Sequence, residues 1–152
     1  MIASRLRLSL GLALGLALAS ASPLAQAIEF RSVAAPAILY DSPSNQGKRL
    51  FIVAPGTPVE VVVALDKWVK VRDPAGAINW IERGALADKR MLMVTAPRTM
   101  VRQQAAEEAA PVFEAVRDLV LELVEAPANG WVKVRHQDGA SGYIRVGEVW
   151  GL

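Results

Sequence analysis

The sequence predicts an all-β protein, two small β-barrels in tandem after an N-terminal signal peptide, and three observations carry that prediction. The stretch Trp68-Val69-Lys70-Val71-Arg72 recurs as Trp131-Val132-Lys133-Val134-Arg135, and each copy is followed twelve positions after its Trp by an aromatic-Ile pair, Trp80-Ile81 and Tyr143-Ile144. The surroundings repeat as well: at a spacing of 63, Gly76 matches Gly139 and Gly84 matches Gly147, and at a spacing of 62, Phe51 matches Phe113 and Val59-Glu60-Val61-Val62 matches Leu121-Glu122-Leu123-Val124. The slip of one residue falls between Leu65-Asp66-Lys67 and Pro127-Ala128-Asn129-Gly130, where a turn tolerates insertion. Third, the apolar runs are short, rich in β-branched residues and bounded by turn formers, which suits strands better than helices. The duplication comes before any reading of sites, because it assigns residues to equivalent places.

Residues 1–27 read as the signal peptide. Arg5 and Arg7 precede an uninterrupted run of Leu, Ser, Gly and Ala from Leu8 to Leu18, and Ala25-Gln26-Ala27 has the small-x-small form of a cleavage site. Ala19-Ser20-Ala21 offers the same form earlier, and no Cys follows either site, which argues against a lipoprotein anchor. The apolar core is short for a membrane span. The expectation is an exported protein, periplasmic or secreted, with no stable membrane insertion after cleavage. The net charge of +2 arises from 17 basic and 15 acidic residues, and losing Arg5 and Arg7 leaves 15 of each. A neutral mature chain has no general attraction for nucleic acid, so no nucleic-acid partner is expected.

The first barrel is assigned to residues 28–88. Ile28, Phe30 and Val33 form a lead-in strand, Ala37 to Tyr40 a strand feeding the polar loop Asp41 to Gly47, and Leu50 to Ala54 a strand closed by Pro55-Gly56-Thr57-Pro58. Val59 to Leu65 follows, then a turn at Asp66-Lys67 into Trp68 to Arg72. Alternation there sends Val69 and Val71 to the core and Trp68, Lys70 and Arg72 outward. Asp73-Pro74-Ala75-Gly76 turns the chain into a last strand at Ile78 to Ile81. Five main strands in about 60 residues describe a small barrel. Residues 85–90 lack the length and composition of a flexible linker, so the modules are expected to sit close together.

The second barrel is assigned to residues 89–152, opening with Met91 to Val94. Gln103 to Ala110 is helix material by propensity, but Pro111 interrupts any extension and the repeat aligns Val112-Phe113 with a strand. A loop with one helical turn at 104–109 is therefore expected. Pro127 to Gly130 turns into Trp131 to Arg135, Gln137 to Ala140 turns again, and Gly142 to Arg145 closes the hairpin. The apolar end Val149-Trp150-Gly151-Leu152 is expected to pack down rather than fray.

Catalytic chemistry is hard to assemble. The chain has no Cys and one His, His136, which falls on the rim of a hairpin. No Cys or paired His is present to anchor zinc. Glu107, Glu108 and Glu114 suggest the paired carboxylates of sugar hydrolysis, but adjacent glutamates on an Ala-rich loop are ordinarily solvated surface. The expectation is no catalytic residue, no cofactor and no metal. The aromatic positions are the candidates. Tyr40, Trp68, Trp80, Trp131, Tyr143 and Trp150 recur at module-equivalent places, and outward rings can stack on a sugar or an extended peptide beside hydrogen bonds from Lys70, Arg72 or Lys133. The alternative is that these rings pack the modules together.

Ala37-Ile38-Leu39-Tyr40-Asp41, Trp68 to Arg72 and Gly142-Tyr143-Ile144 resemble the signature stretches of Src-homology-3-like domains. The order W-x-[KR]-V-R, a Gly-containing turn, G-[YW]-[IV] and a closing Trp-Gly is similar to the bacterial form, over about residues 30–152 as two copies. The resemblance implies compact barrels without intrinsic catalysis, often exported, with cell-wall peptidoglycan or a peptide as ligand. It would place Tyr40 in a ligand groove, with Arg102 at the equivalent place of the second copy. The Trp that relatives use before the central strand lies near Trp68 and Trp131, with Lys67 and Gly130 as the other equivalents. The Pro expected after G-[YW]-[IV] is missing: Glu82 follows Ile81 and Arg145 follows Ile144. That departure argues against recognition of proline-rich peptides. The expected function is a non-enzymatic binding module for peptidoglycan or a periplasmic protein or peptide. A structural accessory is the alternative, and a cell-wall hydrolase comes third.

Overall fold

The computed structural model describes residues 27–152, so the signal peptide predicted over the preceding residues lies outside the described part. The chain forms two antiparallel sheets of seven strands each. The first is built from β1 (Glu29–Val33), β2 (Ala37–Tyr40), β3 (Arg49–Val53), β4 (Pro58–Ala64), β5 (Trp68–Arg72), β6 (Ile78–Glu82) and β7 (Leu86–Ala87), in the order β3-β2-β6-β5-β4-β1-β7. The second is built from β8 (Met91–Val94), β9 (Arg98–Arg102), β10 (Pro111–Val116), β11 (Val120–Ala128), β12 (Trp131–Arg135), β13 (Ser141–Arg145) and β14 (Val149–Trp150), in the order β10-β9-β13-β12-β11-β8-β14. The two orders are the same order. Each sheet exceeds the five main strands expected by two: a two-residue strand that follows a short helical turn joins the sheet's end, and the lead-in strand β1 in the first sheet and β9, not read from the sequence, in the second complete the seven.

Alternation builds each core. In β5 and β12 the valines point inward, and Val69, Val71, Val132 and Val134 are all buried. The first core gathers Val33, Leu39, Val59, Val69, Val71 and Ile81, and the second Leu92, Val94, Val101, Leu121, Val132, Val134 and Ile144. Burying one such side chain contributes about 1.5–3 kcal/mol, which is the main stabilisation available to a chain without disulfides.

One expectation about connections changes. The Ala-rich segment at 103–110 is, as expected, a loop between two strands with a single turn: Ala109 N bonds to Ala106 O (3.2 Å) and Ala106 N to Gln104 O (2.9 Å), while β9 and β10 pair on either side of it. A longer helix within so few residues cannot repay its nucleation cost against that pairing. The one-residue slip of the repeat is not in the turn. β4 has one register shift against β5, between Val61 and Val63, whereas β11 has two against β12, between Leu123 and Glu125 and between Glu125 and Ala128. The extra residue is absorbed as a second β-bulge. The turn itself is the two-residue Asn129-Gly130, with φ of 52° and 81°, a conformation that Asn and Gly adopt at least cost.

The modules touch around β1 of the first and β14 and Lys89–Arg90 of the second. Phe30 of β1 meets Trp150 of β14 edge-on at 4.9 Å between centroids, and the Arg90 guanidinium lies 5.7 Å from the Phe30 ring while donating to Gly151 O at 2.7 Å. Ser32 Oγ donates to Lys89 O at 2.7 Å. The apolar C-terminal residues are packed down as expected, with Val149 and Trp150 paired to Val94 and Met93.

Candidate functional site

Equivalent places of the two modules carry equivalent pockets with different chemistry. In the first module a pocket of about 210 Å³ is lined by Pro36, Ala37, Ile38, Tyr40, Glu82 and Ala85. Tyr40 ends β2 and is the register partner of Trp80, and Trp68, the register partner of Glu82, meets the Tyr40 ring edge-on at 5.2 Å. Such a contact stabilises by about 0.5–1.5 kcal/mol beyond the area it buries. Glu82 is exposed and has no ion-pair partner among the described residues. The pocket therefore has apolar walls and one uncompensated carboxylate.

In the second module the pocket is about 190 Å³ and is lined by Thr99, Met100, Arg102, Trp131, Arg145 and Glu148, together with Glu107 from the loop between β9 and β10. By the repeat, Arg102 stands for Tyr40, Trp131 for Trp68 and Arg145 for Glu82. Arg145 lies over the Trp131 ring, 4.5 Å from guanidinium to centroid, and its Nε donates to Glu107 Oε1 at 2.5 Å. Thr99 Oγ1 donates to Glu148 Oε2 at 2.5 Å.

The candidate residues named from the sequence do not gather at one place. Tyr40 and Trp68 meet at the first pocket. Trp131 sits at the second, but the expectation that its ring is presented outward is wrong: it is 6 % exposed. The alternation was read correctly, since Val132 and Val134 take the core, and the outer face is covered by Arg145, which the register places directly opposite Trp131. Tyr40 is likewise 6 % exposed, so it offers a pocket wall and not a free ring. Lys70 with Trp80 and Lys133 with Tyr143 form cross-strand cation–ring pairs at 5.6 and 5.8 Å on the outer faces of the two sheets. Arg72 is tied to Glu60 at 3.0 Å and Lys133 to Glu125 at 2.7 Å, so neither is a free donor. Glu125 also holds the Lys133 ammonium above its ordinary pKa. Trp150 belongs to the junction between modules.

Ile38, Glu82 and Arg145 were missed as site residues. The signal was present for the last two, since they occupy the positions where the resemblance expects proline. A further surface feature is a groove of about 470 Å³ between the modules, where Phe51, Val53 and Thr57 face Met93, Thr95 and Arg117. It adjoins β3, an end strand of its sheet with Phe51 60 % and Ile52 79 % exposed.

His136 follows β12 at the rim of the hairpin, as expected, with its ring 5.7 Å from Phe113. The Asp138 carboxyl beside it lies below the usual carboxylate range, first because the Ala140 N–H donates to it at 2.8 Å and then because His136 is near. A lowered folded-state value means that this turn contact contributes fully above the ordinary carboxylate pKa and is lost as pH falls through the lowered one. The expected result is an Asp138 side-chain carbonyl NMR titration with its midpoint below that of a model aspartate; a midpoint at or above the model value would contradict the arrangement. Glu107 and Glu114 are each paired with an arginine, Arg145 and Arg98, and do not form the paired carboxylates of a hydrolase. Among the described residues no cluster of three or more His, Cys, Asp or Glu side chains converges, and no helix is long and apolar enough to cross a membrane.

The sequence profile of the bacterial SH3 domain matches residues 33–88 and again residues 95–151. No curated protein matches the chain. Among solved structures, NlpC1 from Trichomonas vaginalis is similar at 14 % identity over 91 % of this chain and 51 % of its own, with a TM-score of 0.38. NlpC2 from the same organism matches at 10 % identity over 82 % and 48 % with a TM-score of 0.37. An NlpC/P60 family protein from Bacillus cereus ATCC 10987 matches at 15 % identity over 80 % and 56 %, also with a TM-score of 0.37. The chain spans about half the length of these proteins. The two profile matches cover each sheet apart from its first strand, reaching only Val33 of β1 and none of β8, and the chain belongs to the bacterial SH3 domain family as a tandem pair.

Proposed function

We propose that the protein is an exported binding module of the bacterial envelope, and that its first module takes a peptide-like part of the cell wall in the pocket beside Tyr40. The observation that carries this reading is the pocket's make-up: apolar walls from Pro36, Ile38 and Tyr40, and at the rim a single carboxylate, Glu82, that no cation of the described residues neutralises. A small apolar group next to an ammonium is the ligand such a site fits, and the short peptides of peptidoglycan supply both. Periplasmic or secreted placement belongs to the same proposal, since it rests on the signal-like N-terminus.

The test is retention of the protein by insoluble peptidoglycan, compared with Glu82→Lys. Because Glu82 is exposed and unpaired, the substitution leaves the fold intact and reverses the charge at the rim. Saturable retention is expected, weakened about tenfold or more in the variant, the loss that about 1.4 kcal/mol produces. Retention equal in both proteins would remove Glu82 and its pocket from the function. A protein partner is the second reading, favoured by the exposed β3 strand and the apolar groove beside it, and absence of any retention by peptidoglycan would turn the search there.

A further inference from the structure

We infer that the second module carries a binding site of its own, for a carboxylate, and that the Glu107 side chain occupies that site in the chain alone. The site is the pocket at Arg102, Trp131 and Arg145, and it goes beyond the first-module reading because it lies in the other module and offers two guanidinium groups where the first offers none; the other carboxylate of its lining, Glu148, accepts from Thr99 and bonds to neither arginine among the described residues. Where the first module presents Glu82, the second presents Arg145, and where the first presents Tyr40, the second presents Arg102. Two guanidinium groups at one small pocket form an anion site, and the forked guanidinium suits a planar carboxylate in particular.

Glu107 is bound as such a ligand would be. Its Oε1 accepts from Arg145 Nε at 2.5 Å and also lies against Arg145 Nη2, while its Oε2 is 3.9 Å from Arg102 Nη2. The arginines have supports besides Glu107. Arg145 lies on the Trp131 ring, and Arg102 Nη1 donates to Ala109 O at 2.9 Å. Glu107 has no comparable hold: its side chain is 58 % exposed, and among the described residues its carboxylate meets only these two arginines. An exposed ion pair of this kind is weak and exchangeable. A ligand carboxylate can therefore take its place without dismantling the arginines.

The equivalent loop of the first module shows what the second has gained. There Asp41 ties the loop to itself, accepting from Lys48 N at 2.9 Å and from Ser42 Oγ at 3.0 Å. The residue that corresponds to Glu107 is Asn45, which brings no charge to the pocket. A pocket of about 190 Å³ accommodates a carboxylate with one small residue behind it, such as the C-terminus of a short peptide.

The experiment follows the Trp131 indole N–H resonance while N-acetyl-alanyl-alanine is added to the wild-type protein and to Glu107→Gln, with the C-terminal amide of the same peptide as control. The expected result is a saturable shift in Glu107→Gln at concentrations about tenfold below those needed in the wild type, as removal of an internal competitor requires, and no shift with the amide. Unchanged methyl resonances of the second core, Leu121 and Ile144 among them, establish that the variant is folded, and Glu107→Ala in the same titration must behave alike. Equal affinity in wild type and variant overturns the proposal. So does an equal response to the amide, or a response that survives in Glu107→Gln/Arg145→Gln. None of these outcomes bears on Glu82, so the two sites stand or fall separately.

Discussion

Replacing Ile81 with alanine is expected to cost about 3–4 kcal/mol, within the range for truncating a fully buried aliphatic side chain. Ile81 is 0 % exposed and sits in β6 between the pairing with Val69 of β5 and the outer-face residues Trp80 and Glu82. It packs in a core of only seven buried residues, so little surrounding material can relax into the space. A module of this size commonly has about 5 kcal/mol or less to lose. The loss should appear as a fall in midpoint temperature of roughly 15–25 °C for the transition that includes the first sheet. Calorimetry also reads the coupling between the modules. If the contacts of Phe30, Trp150 and Arg90 bind the two sheets into one cooperative unit, Ile81→Ala and Ile144→Ala each move a single transition. If they do not, each moves its own. A shift of less than about 1 kcal/mol at Ile81 would contradict the packing described for it.

Gly142→Ala is expected to destabilise the second module by about 3 kcal/mol or more, through overpacking against backbone. A Cβ at Gly142 would stand 2.9 Å from Val101 Cγ1 and closer still to the carbonyl oxygen of Arg102. The obstruction is main chain, which cannot rotate away. It lies where β13 approaches β9, at the Tyr143–Arg102 pairing that seats Arg102 beside Trp131 and Arg145. The corresponding residue of the first module is Asn79, whose side chain is accommodated there and buried. Asn79→Gly is therefore expected to be far milder than Gly142→Ala, by denaturant midpoint. A mild effect of Gly142→Ala would mean that β9 and β13 separate more easily than the sheet implies.

Much of this architecture was readable because the repeat and the period-two pattern agree. β2, β5, β8 and β12 have the bounds expected from sequence, each a short apolar or alternating run with turn formers beside it. The two-residue strands β7 and β14 were not read as strands, since nothing in so few residues distinguishes a sheet's last partner from a loop. The Ala- and Glu-rich segment shows local propensity losing to strand pairing on both sides. At the sites, alternation tells which way a side chain points and not what lies on top of it. Trp131 points away from the core and is nonetheless buried, because cross-strand register brings Arg145 over it. The missing prolines were legible as a departure; that the replacements carry opposite charges into equivalent pockets becomes visible only when the two sheets are laid side by side.

The second bulge in β11 bears on how the two halves came to differ. A residue gained in the middle of a strand would ordinarily reverse every side chain beyond it, yet Lys133 still faces outward beside Tyr143 as Lys70 does beside Trp80. The length difference is confined between Glu125 and Ala128, and everything after it keeps the phase of the first copy. The same hairpin therefore forms at either length, and the segment at Ala126 and Pro127 marks a place where this small scaffold accommodates one residue more or less.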